Sequence, residues 1–254
     1  MPFNIGGYVY NGGIADASDY KNIITRSLIY NLEAGDAGSY PQTGTTWFDT
    51  SGNNFTANLV NGPTFTTNNE GGIVFDGSND YASGSNFNIN TNEFTLEAWI
   101  KPTNKNSNYG IIVKPTENYF WPCYSMWIDG GNLQGYYSSA VYGQCLEGAH
   151  GTGNPITTNG AWYHVAFSKG TAGYTTMALY VNGVASSYNN FLYGTHINTL
   201  ATSTVPTWFA VLNDTNVLLN YFNGTIGSIR IYSRQLSAAE MLQNFNVQRS
   251  RFGV

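Results

Sequence analysis

An all-β fold made of two antiparallel sheets is what this sequence predicts, and three observations predict it. About a dozen short runs alternate apolar and polar residues between turn signals such as Asn182-Gly183. Charged residues make up 10% of the chain, against roughly 25% in ordinary soluble proteins, and Asn, Thr, Ser, 29 Gly and 19 Tyr take their place as turn and strand formers. A helix signal occurs once, near the C-terminus. The 254 residues suit one large β domain, which buries roughly 70–75% of its unfolded surface.

Residues 1–26 differ from the rest. They are rich in Gly and Asn with scattered Tyr and Phe, and they carry no sustained period. They read as an arm or an edge segment. A strand follows over residues 27–33, a loop-rich stretch over 39–63, and a short strand at 57–60. Residues 72–76 form a strand that runs into a turn, where Asp76 and Asp80 are placed to accept backbone N–H groups. Residues 94–102 alternate cleanly, with Phe94, Leu96, Ala98 and Ile100 on one face. Further strands fall at 109–114, 124–129, 133–138, 162–168, 176–181 and 208–212.

The last strand, 225–232, sets Thr225, Gly227, Ile229 and Ile231 on one face and Ile226, Ser228, Arg230 and Tyr232 on the other. A helix of one to three turns follows. Ser237 stands three residues before Glu240, the spacing of a capping box, in which hydroxyl and carboxylate satisfy each other's backbone N–H.

Composition also limits function. Net charge is −5 and no Lys/Arg cluster occurs, which argues against a nucleic-acid partner. The start has no basic stretch followed by an apolar core, so no signal peptide is read there. Residues 208–212, among the longest apolar runs, are far too short to span a bilayer. Cys123 and Cys145 lie in no metal or redox spacing. They can pair if neighbouring strands bring them together, but synthesis without an export signal favours two buried free thiols.

Five segments stand in a recognisable order: Phe75-Asp76-Gly77-Ser78-Asn79-Asp80-Tyr81, Phe94-Thr95-Leu96-Glu97-Ala98-Trp99-Ile100, Trp162-Tyr163-His164-Val165-Ala166, Leu179-Tyr180-Val181-Asn182-Gly183, and the closing strand with its capped helix. Together they resemble laminin-G-like domains of the concanavalin A-like lectin/glucanase class over residues 28–247. The resemblance implies an all-β, two-sheet antiparallel jelly-roll sandwich with one short C-terminal helix. It divides the chain into an N-terminal arm or edge segment (1–26), a laminin-G-like domain (27–247) and a C-terminal tail (248–254).

The opening, Leu28-Ile29-Tyr30-Asn31-Leu32-Glu33-Ala34-Gly35 and Trp47-Phe48-Asp49-Thr50-Ser51-Gly52-Asn53, is similar to that of laminin-G-like virion proteins of tailed bacteriophages. So is the close, Arg251-Phe252-Gly253-Val254. This likeness implies a phage structural protein located in the virion, made in the host cytoplasm and released by lysis. A single domain without heptads or a shaft implies decoration of the head, docked on the major capsid protein. The alternative is a carbohydrate-binding adhesin or receptor-binding protein recognising a host-surface glycan. A homo-oligomer suits either role.

Candidate sites follow. By position, Glu117-Asn118 and Asn213-Asp214 are the nearest matches to the Ca2+ sites of related pentraxin-type domains. They supply only two carboxylates, and no cofactor is expected beyond this candidate ion. Tyr119, Trp121, Tyr136, Tyr137 and Tyr142 are candidates for a ligand or partner surface, since aromatic rings stack on sugar faces and cement interfaces. Phe3, Ile5, Tyr8 and Tyr10 are candidates for attachment through the arm.

No catalysis is expected. Glu93 and Glu97 lie four residues apart, about 13 Å along a strand, where a retaining pair of carboxylates needs about 5 Å. His150, His164 and His196 show no triad spacing, and His164 reads as structural.

Overall fold

The computed structural model describes the backbone of residues 4–5 and 8–9, and residues 22–117, 121–138, 145–195, 199–214 and 217–254; the side chains of 173, 174 and 214 are outside that description. Two antiparallel sheets pack face to face. The larger has nine strands, in the order Tyr188–Gly194, Cys145–Gly151, Asn132–Ser138, Pro122–Asp129, Tyr109–Pro115, Trp208–Phe209, Tyr81–Gly84, Thr56–Val60 and Thr46–Phe48. The other has eight. Seven run in the order Val184–Ser186, Met177–Val181, Tyr163–Lys169, Phe94–Pro102, Asn223–Tyr232, Gly72–Asp76 and Thr64–Thr66, and Leu28–Glu33 adds a second partner to Asn223–Tyr232. Sheet pairs Asn4–Ile5 with Tyr8–Val9, and Leu212–Asp214 with Val217–Leu219, make two small hairpins.

The core lies between the sheets because each strand sends alternate residues inward. Phe94, Leu96, Ala98 and Ile100 share it with Tyr124, Met126 and Ile128 from the opposite sheet. Asn182 and Gly183 both have positive φ, 52° and 73°, as a tight hairpin turn requires. Asp76 accepts from the backbone N–H of Ser78 at 2.8 Å, and Asp80 from that of Asp76 at 3.1 Å, as the turn reading expected.

The closing strand departs from strict alternation. Its register against Phe94–Pro102 shifts between Ile226 and Ser228, a bulge at Gly227. The bulge turns Ile226 into the core together with Ile229 and Ile231. A side chain at Gly227 would collide with the ring of Phe252, its Cβ falling 2.6 Å from Cε1. The bulge and the helix contact therefore need the same glycine.

The helix spans Ala238–Phe252 and carries the expected capping box, with Glu240 N–H donating to Ser237 Oγ at 3.3 Å and Ser237 N–H to Glu240 Oε2 at 2.9 Å. Its 15 residues make about four turns, longer than expected. Residues 248–252, read from sequence as tail, continue it. The physical reason is the pair Phe245 and Phe252, two turns apart on one face, which stack on Trp99 with centroids at 5.7 and 4.2 Å. The domain also begins earlier than residue 27. Gln243 donates to the carbonyl of Asn22, and Ile24 bonds both Asn244 and Tyr232.

Candidate functional site

The outer faces of the two sheets differ. On the eight-stranded sheet the helix covers an ionic cluster and an aromatic layer. Glu97 and Arg230 sit opposite each other on paired strands, both buried, with Arg230 Nη1 donating to Glu97 Oε1 at 2.8 Å. Asn244 of the helix donates to Glu97 Oε2 at 2.6 Å, and His164 Nε2 lies 3.2 Å from Oε1. Arg230 Nη2 also reaches Glu33, which pairs with Arg251 and Gln248 of the helix. Burial opposes ionisation of Glu97, but His164, Arg230 and Asn244 outweigh it and hold the carboxyl near 2. The placement of His164 agrees with its structural reading, and Glu97 is enclosed in a pairing network.

Among the described residues no helix covers the outer face of the nine-stranded sheet. There Trp127, Tyr136, His150 and Phe191 stand on four successive strands. Tyr136 meets Trp127 edge-on at 4.7 Å and Phe191 at 5.4 Å, and the His150 imidazole stacks on Phe191 at 5.3 Å with 9° between planes. The Tyr136 hydroxyl and His150 Nε2 share a hydrogen bond. Burial lowers the His150 pKa against a smaller opposing effect of Asp129, so the imidazole is neutral at neutral pH. Burial likewise pushes the Tyr136 hydroxyl up to about 12.

Gly148 makes this arrangement possible: a Cβ there would fall 1.8 Å from Tyr136 Cδ1, so the ring lies flat across the neighbouring backbone. Trp121 and Tyr193 form an edge-on pair at 5.4 Å, and Leu192 and Tyr193 are 43% and 58% exposed at the sheet edge. Among the described residues of these four strands no Lys or Arg occurs, and Asp129 is the one exposed carboxylate.

The sequence-predicted aromatic set divides. Tyr136 is central and Trp121 is half-buried beside Tyr193. Tyr137 is a correction. Strand alternation sends it into the core, where it is 1% exposed, its hydroxyl donates to Glu147 and Lys169 Nζ stands 4.8 Å over its ring. Tyr119 and Tyr142 lie outside the described residues. His150 and Phe191 were missed as site residues; their strands, Cys145–Gly151 and Tyr188–Gly194, carry no clear alternation that would have flagged them.

Of the calcium candidates, Asn118 and the side chain of Asp214 lie outside the described residues. Glu117 is exposed and accepts from Thr204 Oγ1 at 3.1 Å. Asn213 has both amide atoms buried without a hydrogen-bond partner, on a hairpin whose entry crosses the sheet at Gly110, the strand partner of Trp127. Among the described residues no group of three or more His, Cys, Asp and Glu is placed to hold a metal ion. Cys123 and Cys145 are both buried, and the Cys145 thiol donates to Glu147 Oε1 at 3.2 Å. Of the attachment residues, Phe3 and Tyr10 lie outside the described residues, and Ile5 pairs with Tyr8 in the first hairpin.

A laminin G family model, described as the concanavalin A-like lectin/glucanases superfamily, matches residues 76–241, more than half of the chain. The chain belongs to that superfamily. No curated protein matches it. Solved structures of similar fold include receptor-binding domains. The receptor-binding domain of botulinum neurotoxin type G matches at a TM-score of 0.60 and 15% identity, over 87% of this chain and 51% of that one. The serotype D ligand-binding domain in complex with N-acetylneuraminic acid matches at 0.60 and 19%, over 87% and 51%. The neurotoxin DC binding domain in complex with rat synaptotagmin II matches at 0.62 and 16%, over 89% and 52%. At these identities the likeness is one of fold, and the chain spans about half the length of each.

Proposed function

We propose that this chain is a non-enzymatic binding module of a tailed-phage virion, docked on the major capsid protein as a head decoration through residues 1–21. The observation that carries the reading is the polarity of the sandwich. Asn22 and Ile24, which lead out of that segment, are tied to the C-terminal helix on one sheet. The aromatic face lies on the other sheet, turned away from them. A module held on its helix side presents that face outward. The virion setting rests on the likeness of the opening and closing segments to phage proteins. A binding role, in place of catalysis, accords with the enclosure of Glu97 and with the receptor-binding nature of the solved structures that share the fold.

A density map of the intact particle tests the docking. The chain should lie on the head surface with its helix side toward the capsid shell. A position on the tail, with the aromatic face outward, would instead support the adhesin reading, which the open aromatic face favours.

A further inference from the structure

We infer that the strand Tyr188–Gly194 is a self-pairing edge, through which two copies of this chain join antiparallel about a two-fold axis at Phe191 and make one continuous sheet from two nine-stranded ones. This goes beyond the docking on a particle and does not depend on it.

The first observation is a contrast among edges. An unpaired strand edge invites another strand, and proteins blunt it by shortness, charge, proline or cover. Of the four strands that end the two sheets, Thr46–Phe48, Val184–Ser186 and Thr64–Thr66 have three residues each. The free side of Leu28–Glu33 is covered, with Asn31 N–H donating to Asp49 Oδ1 at 2.7 Å and Glu33 N–H to Ser39 Oγ at 3.0 Å. Tyr188–Gly194 has seven residues, no charge and no proline, and among the described residues it pairs only with Cys145–Gly151. Its Leu192 and Tyr193 are among the exposed large apolar side chains.

The second is which backbone groups are free. Thr152 N–H donates to the Ser187 carbonyl at 2.9 Å, one pair beyond the register that sets Gly151 opposite Tyr188. Hydrogen-bonded pairs alternate along an antiparallel ladder. Asn189, Phe191 and Tyr193 therefore bond to the neighbouring strand, and Tyr188, Asn190, Leu192 and Gly194 point their N–H and C=O groups away from the sheet. An axis at Phe191 sets Asn190 opposite Leu192 of the second copy, and Tyr188 opposite Gly194. Every outward group then has a partner and the whole strand pairs.

The third is the side-chain match. Tyr136, Gly148 and Phe191 stand opposite one another on three strands, and the Tyr136 ring reaches over Gly148 to Phe191. Phe191 against its counterpart continues that row through the axis, and aromatic cross-strand pairs are stabilising. The strand is uncharged, so self-pairing sets no like charges opposite each other. The contact is about 23 Å long and about as wide as the 10 Å between two sheets. That is less than the roughly 800 Å2 per partner of a standard interface, so the dimer is a weak and reversible one.

The test is sedimentation velocity of the full chain over a concentration series, together with disulfide trapping. The weight-average sedimentation coefficient should rise with concentration toward that of a dimer. Phe191→Cys should cross-link to itself under mild oxidation, with the parent chain as blank. A non-hydrogen-bonded pair sets its Cα atoms about 4.5 Å apart, within the range of about 4.4–6.8 Å that a disulfide spans. Tyr193→Cys should not cross-link, because the axis separates the two copies of that position by about 13 Å along the strands. Asn190→Pro removes an outward N–H, and Leu192→Lys puts a charge on each side of the axis. Both positions are exposed. Both variants should melt like the parent chain and stay monomeric.

The inference is overturned if the chain sediments as a monomer at every concentration, or if Tyr193→Cys cross-links as readily as Phe191→Cys. It is also overturned if Asn190→Pro and Leu192→Lys dimerise like the parent. A chain that stays monomeric yet joins the particle refutes this edge alone.

Discussion

Glu97 and Arg230, 133 residues apart in sequence, face each other across paired strands, joined at 2.8 Å in a space closed to water by the C-terminal helix. A buried ion pair of this kind is weak as a source of net stability but costly to break, because the remaining charge stays buried alone. Glu97→Gln is therefore expected to destabilise the domain by about 3–5 kcal/mol, read by denaturant unfolding.

The same carboxyl sets an acid limit. Its ordinary value of 4.5 is lowered to about 2 in the folded chain, so the folded state releases this proton more readily than the unfolded one. Its contribution is complete above about pH 4.5 and is lost as pH falls toward 2. Melting temperature should drop through that window. In Glu97→Gln the drop should be smaller, and an unchanged acid profile would remove Glu97 from the cause.

The aromatic stack under the helix gives a second expectation. Phe252 lies 4.2 Å from Trp99, centroid to centroid, and is 3% exposed. Phe252→Ala should cost about 3–5 kcal/mol. A chain ending at residue 247 should lose more, since Gln248 and Arg251 go with it. Near-native stability after that truncation would restore residues 248–254 to a free tail.

Much of the fold could be read from sequence because its signals are local. The strand Phe94–Pro102, the turn at Asp76 and Asp80, and the Ser237/Glu240 box each sit within a few residues. The bulge at Gly227 is not legible, since strict alternation through it places Ile226 on the face opposite Ile229 and Ile231. Nor was the ionic cluster, whose Glu33 and Arg251 are 218 residues apart. The site suffered most. Three of the seven residues of Cys145–Gly151 are Gly or Ala, and Tyr188–Gly194 lacks a clean period. The strands bearing His150 and Phe191 therefore give no signal in the sequence, and Tyr136 and Tyr137, adjacent on one strand, face opposite ways.

The capping box predicts a smaller effect. Ser237→Ala removes the bond to Glu240 N–H and should lower stability by about 1 kcal/mol. No measurable change would mean that packing of Met241 and Phe245 alone fixes the helix start.

Metal removal should do nothing. A bound ion stabilises the native state by mass action, so chelation of a real Ca2+ site lowers the melting temperature. Glu117 is exposed and already bonded to Thr204. An unchanged melting curve with chelator is expected, and a clear downward shift would revive the candidate set of Glu117, Asn118, Asn213 and Asp214.

The docking of this module on a particle is tested most directly by incorporation. Full-length chain and a chain lacking residues 1–21 are each supplied to particles that lack the protein, and the bound amount is measured after sedimentation. The deletion spares Asn22 and Ile24, whose bonds to the helix belong to the domain, so the shortened chain should melt cooperatively. The account predicts that full-length chain joins the particle and the shortened chain does not. Incorporation of the two chains in equal amounts would contradict it.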